Sequence, residues 1–414
     1  MRFFYTLFIY LYAFALYISS LFNIKARHWC EGRKNFFAIL KAKCAGKDNV
    51  YWFHCASLGE FEQGKPLIRK LKENVPGITV LVTFFSPSGF EVKKNDPVAD
   101  VISYIPIDTP RNVRKFLEIV NPKAVIFVKY EYWYNFIDKL SESKIPFYYI
   151  SAIYRPSQHF FKKYGKWFAN QLKKASFFFV QNEESKSLLH SIGIDNVEIT
   201  GDTRFDRVHA IAAQPYELDF VNYFKKDGKL LVAGSTWVPD EKLLTLFLEP
   251  FKSDYKLIIA PHLIDKEHIS NVLNCFSSYK TVCYSDCNNL DLSEYQVLII
   301  DVIGLLSKIY KYADISYIGG GFETGLHNIL EPAVFGVPLF FGPHYKKFNE
   351  AVELVRLGGA FSIHNSAEMN QLVLQLDSDT EYYNNVCTIC KQFVQNNLGA
   401  SDKIFNILNS VNYE

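Results

Sequence analysis

Residues 50–71 read VYWFHCASLGEFEQGKPLIRKL, and their reading decides the fold. Val50–Ala56 is an apolar run of strand length; Ser57, Leu58 and Gly59 make a turn. Pro66, Leu67 and Leu71 then lead an amphipathic helix. Strand, tight turn and helix in that order form the opening half of a βαβ unit. The same alternation recurs downstream, with strands expected at 79–84, 101–105, 124–129, 147–151, 177–181 and 197–200. A stretch at 206–228, with Pro215 and Lys225-Lys-Asp-Gly228, has no buried strand and marks a boundary. The pattern restarts at 230–233 and continues at 256–260, 280–284, 297–300, 315–318 and 338–341. The expected fold is therefore α/β, with two Rossmann-like domains (45–210 and 225–395) facing a cleft. Ligands of such sheets bind at the carboxyl ends of the strands.

The ends of the chain and its overall make-up narrow the function. Phe3 through Ile24 run 22 positions without a charge, and no small-residue cleavage pattern follows. This predicts a retained membrane anchor over residues 1–27, spanning the bilayer or lying in its interface. Lys25, Arg27, Arg33, Lys34, Lys41 and Lys43 follow the run, against Arg2 alone before it, which keeps the domains on the cytoplasmic face. A net charge of +2 gives no electrostatic footprint for nucleic acid. Eight scattered cysteines fit a reducing compartment, and Cys387-x-x-Cys390 reads as two thiols on a helix. No His, Asp or Glu cluster has metal-ligand spacing. Phe160–Lys174, aromatic with five lysines, predicts a basic helix whose surface suits anionic lipid or, alternatively, packs its aromatics inward.

Four constellations carry chemistry. Glu60, in the turn after the first strand, can take a proton from a sugar hydroxyl or cap the helix dipole. Glu131, in Lys129-Tyr-Glu-Tyr-Trp-Tyr-Asn135 after an apolar strand, can contact a polar ligand beside stacking aromatics or begin a helix. Arg204, in Gly201-Asp-Thr-Arg-Phe-Asp206, can steady phosphate charge or pair with Asp206. Gly319-Gly320-Gly321 followed by His327-Asn-Ile-Leu-Glu331 offers a glycine turn and helix N-terminus for a phosphate, with Glu331 for a ribose diol. The spacing lacks the G-x-G-x-x-G fingerprint, so a mononucleotide fits better than a dinucleotide. Gly234-Ser-Thr236 and Ala260-Pro261-His262 fall at carboxyl ends of second-domain strands.

In this order the segments His54–Glu60, Thr83–Gly89, Glu131–Asn135, Gly201–Asp206, Gly234–Thr236 and His327–Gly342 resemble the bacterial 3-deoxy-D-manno-octulosonic acid (Kdo) transferases, glycosyltransferase family 30. The resemblance implies a GT-B fold and an inner-membrane enzyme of lipopolysaccharide core synthesis. It implies CMP-Kdo as donor, a lipid A precursor (lipid IVA) as acceptor, and inverting transfer without metal or other cofactor. Under it Glu60 is the general base, and Glu131 and Arg204 support the transition state. Pro261, His262, Gly319, Gly320, Gly321, Asn328, Ile329, Leu330 and Glu331 then bind CMP. The chain departs from the family pattern with Arg204 for Lys, His262 for Arg, and Trp237-Val-Pro-Asp240 for a His followed by acids. Without the resemblance, the pattern also fits a GT-B enzyme moving a UDP-sugar to a lipid acceptor, or a membrane-attached nucleotide-binding protein without turnover.

Overall fold

Apolar runs uninterrupted by polar residues must be covered on both faces, which in this chain makes them parallel strands sandwiched by helices. The computed structural model describes residues 1–411 other than 289 and 324. It divides into two units: Met1–Arg207 together with the chain from Leu398 onward, and Val208–Asn397. Each unit is Rossmann-like, so the chain has the two-unit α/β make-up of the GT-B class.

In the first unit the strands are β1 (Val50–Cys55), β2 (Thr79–Phe84), β3 (Val101–Tyr104), β4 (Ala124–Val128), β5 (Phe147–Ala152), β6 (Phe177–Val180) and β7 (Val197–Ile199). They lie in the order β3-β2-β1-β4-β5-β6-β7, all parallel. The order reverses between β1 and β4, which is where the loops carrying Glu60 and Glu131 emerge. The helices used below are α1 (Arg2–Ser19), α2 (Ile24–Glu31), α3 (Phe36–Cys44), α4 (Leu58–Asn74), α5 (Pro87–Lys93), α6 (Pro110–Val120) and α7 (Tyr134–Glu142). Alternation along β1 splits the core: Val50 and Trp52 pack with Phe36, Phe116, Phe127 and Phe136. Tyr51, Phe53 and Cys55 pack with Phe61, Leu67, Ile68 and Leu71 of α4. That second layer is completed by Ile404, Phe405 and Leu408 from the C-terminal helix Ala400–Val411, a segment that the sequence reading left unassigned.

The second unit contains β8 (Lys229–Thr236), β9 (Tyr255–Pro261), β10 (Thr281–Cys283), β11 (Val297–Ile299), β12 (Ile315–Ile318), β13 (Leu339–Phe341) and β14 (Ala360–Ser362). Their order is β10-β11-β9-β8-β12-β13-β14, again all parallel, with the reversal between β8 and β12. β14 was not anticipated, because three residues behind Gly358-Gly359 carry too short an apolar signal.

The charge-free run is divided between two elements: α1 stops at Ser19, and Asn23 turns the chain by accepting from the N–H groups of Lys25 and Ala26 to cap α2. One stripe of α1 is docked on the first unit, with Ile9 buried, while Phe3, Phe4, Phe8, Leu11 and Phe14 are exposed. The segment 160–174 is likewise not one basic helix. Two 3₁₀ turns, His159–Phe161 and Lys163–Gly165, precede a short helix Lys166–Leu172, and a Cβ at Gly165 would meet the carbonyl of His159. Phe160 is buried and Trp167 and Phe168 pack against Tyr134 at 5.0 and 5.4 Å between ring centres, whereas Tyr164 is exposed.

Candidate active site

In the first unit a buried polar chain crosses the end of the sheet. Trp52 and His54 share one face of β1, and Thr83 lies opposite His54 in register on β2. Thr83 Oγ1 accepts from Trp52 Nε1 at 2.7 Å and lies 2.8 Å from His54 Nδ1. The other imidazole nitrogen, Nε2, is 2.9 Å from Glu131 Oε2. That oxygen also accepts from Trp133 Nε1 at 2.7 Å. Nε2 faces a carboxylate and so donates to it, while Nδ1 lies near both the Thr83 hydroxyl and the Thr83 carbonyl, the latter at 3.2 Å. Glu131 is thus 8 % exposed and held by two aromatic donors on one oxygen.

Glu60 occupies the first turn of α4, where its Oε2 accepts from the Ser57 N–H at 2.7 Å and lies 3.2 Å from the Ser57 hydroxyl. The Ser-x-x-Glu spacing is that of a capping box, so the cap anticipated as an alternative is present. Burial pushes the Glu60 carboxyl up, and the charge of Glu131 adds to the rise; the Ser57 bonds and His54 pull it back only in part. A half-buried carboxylate with raised proton affinity is a better base than a solvated one.

Arg204 is held by a different partner from the one expected. Its Nε and Nη2 each lie 2.7 Å from Asp202 Oδ2, while Asp202 Oδ1 accepts from Gln63 Nε2 of α4 at 2.9 Å. Burial would raise the Asp202 carboxyl, but the guanidinium and its hydrogen bonds outweigh this and hold it below the usual range. Asp206 is occupied elsewhere, accepting from the N–H groups of Gly399 and Ser401 to cap the C-terminal helix. Arg204 is therefore tied, through Asp202 and Gln63, to the helix that begins at Glu60. Lys129, Ser151 and Ser235, at the carboxyl ends of β4, β5 and β8, have φ of 63°, 49° and 54°, a conformation that non-glycine residues hold at some cost.

In the second unit the sites anticipated from sequence gather where the sheet order reverses. Asp240, 1 % exposed, accepts from the N–H groups of Trp237 and Gly320, both at 2.9 Å, and from the Tyr317 hydroxyl at 2.7 Å. It joins the loop after β8 to the glycine turn after β12, a role that its place in Trp237-Val-Pro-Asp240 did not announce. Gly319 and Gly321 are required by the protein itself, since a Cβ on them would meet the backbones of Ser235 and Gly342 at 2.2 and 2.5 Å. The helix after the turn is only four residues long, Leu330–Ala333, so its dipole is smaller than expected for a phosphate site. Ile329 and Leu330 are buried, leaving only their backbone to touch a ligand, whereas Asn328 Nδ2 donates to Glu331 Oε1 at 3.1 Å. Pro261 ends β9, and His262 follows it. Its ring is stacked between Trp237 at 4.6 Å and His327 at 4.5 Å. Among the described residues no group of three or more His, Cys, Asp or Glu is arranged to hold a metal ion.

The stack has a pH consequence. Burial, together with neighbouring His262, lowers His327 from 6.5 to about 4. The unfolded chain takes up this proton first, so the stability contributed by neutral His327 is complete above pH 6.5 and is lost as pH falls toward 4. The whole loss is about 3 kcal/mol. Comparing unfolding free energies of the native chain and His327→Phe across this window should show the native chain falling by that much more.

The chain matches a family model described as 3-deoxy-D-manno-octulosonic-acid transferase over residues 31–207. It is 28% identical over 346 residues to the 3-deoxy-D-manno-octulosonic acid transferase of Aquifex aeolicus, covering 82% of this chain and 88% of that one. The enzyme of the same name from Haemophilus influenzae is 26% identical, covering 98% of each chain. A bifunctional glycosyltransferase/methyltransferase from Fusobacterium nucleatum is 28% identical over 80% of this chain, which spans about half (53%) of that longer protein. Among solved structures, a putative UDP-N-acetylglucosamine 2-epimerase from Listeria monocytogenes superposes with a TM-score of 0.62 at 13% identity, over 88% of this chain and 96% of that one. At that identity the likeness is one of fold.

Proposed function

The chain belongs to the Kdo transferase family of glycosyltransferases, and from that premise we propose that it moves Kdo from CMP-Kdo to a sugar hydroxyl of a lipid A precursor by inverting single displacement. The observation that carries this reading is Glu60: a half-buried carboxyl raised in proton affinity and fixed at the head of α4. The acceptor oxygen forms its bond to the anomeric carbon of Kdo as the bond to the CMP phosphate breaks. The hydroxyl proton passes to Glu60, and CMP leaves with the bonding electrons. Glu131, gripped by His54 and Trp133, raises the proton affinity of Glu60 and lines the acceptor side. Arg204, oriented by Asp202, offers a cation to the phosphate.

The second unit binds CMP through Pro261, His262, Gly319–Gly321 and Asn328–Glu331. Burial lowers His262, so at neutral pH it contributes a stacking face or a hydrogen bond where an Arg would contribute charge. The exposed apolar side of α1 rests in the cytoplasmic face of the inner membrane, where the acceptor lipid is found, with the basic residues of 25–43 toward anionic headgroups. Support for this placement is that α1 is apolar enough to cross a membrane, yet has one stripe docked on protein. The test is twofold. CMP at one hundred times its dissociation constant should stabilise the fold by about 2.7 kcal/mol while UDP at equal concentration does little. With CMP-Kdo and the lipid A precursor, the product mass should rise by whole Kdo units. Stabilisation by UDP alone, or an unchanged acceptor mass, overturns the reading.

A further inference from the structure

The exposed side of α1 explains attachment, but the docked side is built with more detail than attachment needs. The N-cap of helix α7 is Trp133, whose side chain makes no capping bond. The N–H groups in its first turn would be orphans without an outside acceptor. Asp108, in the loop between β3 and α6, supplies that acceptor: Oδ2 takes the Asn135 N–H and Oδ1 the Phe136 N–H, both at 3.1 Å. Asn135 Nδ2 returns a bond to the Asp108 carbonyl at 2.6 Å. Asp108 is fully buried, and burial pushes its carboxyl up to about 6 against the pull of its hydrogen bonds. Among the described residues the one side-chain donor to this carboxylate is the hydroxyl of Tyr5 on α1, at 2.6 Å from Oδ2.

The same face of α1 grips the first two turns of α7 at further points, with the i, i+3, i+4 spacing of one helix stripe. Arg2 Nε is 2.9 Å from Asp138 Oδ2, Thr6 Oγ1 is within 3.3 Å of the Asn135 amide, and the Tyr5 ring meets the Tyr134 ring edge-on at 4.9 Å. Trp133 stands at the head of this turn, its indole bonded to Glu131 and its ring 5.7 Å from His54. A second path reaches it through Tyr12 of α1, stacked on Phe85 at 6.5 Å, with Phe85 5.1 Å from Trp133.

We propose that Tyr5 is a positioning residue for the transfer reaction, fixing the first turn of α7 through Asp108 and thereby the Trp133–Glu131–His54 array. The helix that meets the lipid is then also a buttress of the acceptor side, so that Glu131 keeps its place beside Glu60 only while α1 is seated. This rests on the reading of Glu60 and Glu131 given above.

The experiment uses full-length protein in vesicles and compares the native chain with Tyr5→Phe, which keeps the ring and removes the hydroxyl. Thr6→Val, which cuts another bond to the same turn, forms a second series. Tyr5→Phe should lower kcat roughly tenfold, the scale of a small misplacement of a reacting group. The KM for CMP-Kdo should stay within about twofold, because that site is built elsewhere. Vesicle co-sedimentation should be unchanged. Trp133 emission, isolated as the difference from a Trp133→Phe background, should shift in Tyr5→Phe and less in Thr6→Val. Native kcat with unshifted emission in both variants overturns the proposal, as does a fall in activity that follows melting temperature with no emission change. Failure of the native chain to transfer Kdo would overturn the function, whereas the emission comparison tests the linkage without reference to turnover.

Discussion

Glu60→Gln should lower kcat by roughly 10²–10⁴-fold, the range for loss of a positioned general base. The substitution isolates basicity, because a capping box accepts Gln as well as Glu. The amide oxygen can keep the bond from the Ser57 N–H, so α4 should retain its cap and the melting temperature should move little. What is lost is the capacity to hold a proton, which burial and the Glu131 charge have enhanced. Since the base must be ionised to act, kcat/KM of the native chain should rise with pH through a point above the ordinary carboxylate range. That limb should vanish in the variant. CMP-Kdo binding, measured by calorimetry, should survive; an active Gln variant would remove Glu60 from its role.

Asp240→Ala should be the most damaging substitution in the second unit. It strands the N–H groups of Trp237 and Gly320 and the Tyr317 hydroxyl, all of which end on this one carboxylate. Each unsatisfied buried donor costs about 1–3 kcal/mol. Against this, a buried carboxyl whose proton affinity is raised chiefly by burial carries a desolvation cost that the variant recovers. The balance should be a loss of about 2–4 kcal/mol, or roughly 5–15 °C in the melting temperature of a unit this size. The glycine turn should lose its tether, and CMP should no longer stabilise the protein. Asp240→Asn, which keeps an acceptor for at least one donor, should lie between the native chain and the Ala variant. Equal stability of all three would show that the tether is dispensable.

Most strands were legible because a buried parallel strand needs an apolar run and little else. β1, β2 and β12 fall where their runs predict, and β14 escaped because its run is three residues long. Side-chain partners were less legible. Nothing local in Gly201–Asp206 distinguishes Asp202 from Asp206 as the companion of Arg204; the choice is made by Gln63 on one side and by the C-terminal helix on the other. The glycines at 319–321 were visible as a turn, but their cause was not: Gly319 and Gly321 make room for neighbouring backbone and Gly320 adopts φ of 88°. His54, Thr83, Glu131 and Trp133 form one chain of bonds only because β1, β2 and β4 are adjacent, a fact of topology that no single motif contains.

The C-terminal helix sets the timetable of biosynthesis. Ile404, Phe405 and Leu408 close the layer beneath α4, and Asp206 caps their helix, so the opening unit lacks a wall until some two hundred later residues have been made. On the ribosome, Leu67, Ile68 and Leu71 wait uncovered while the middle of the polypeptide is synthesised. A chain lacking the helix Ala400–Val411 would leave this apolar patch open to chaperones and proteases.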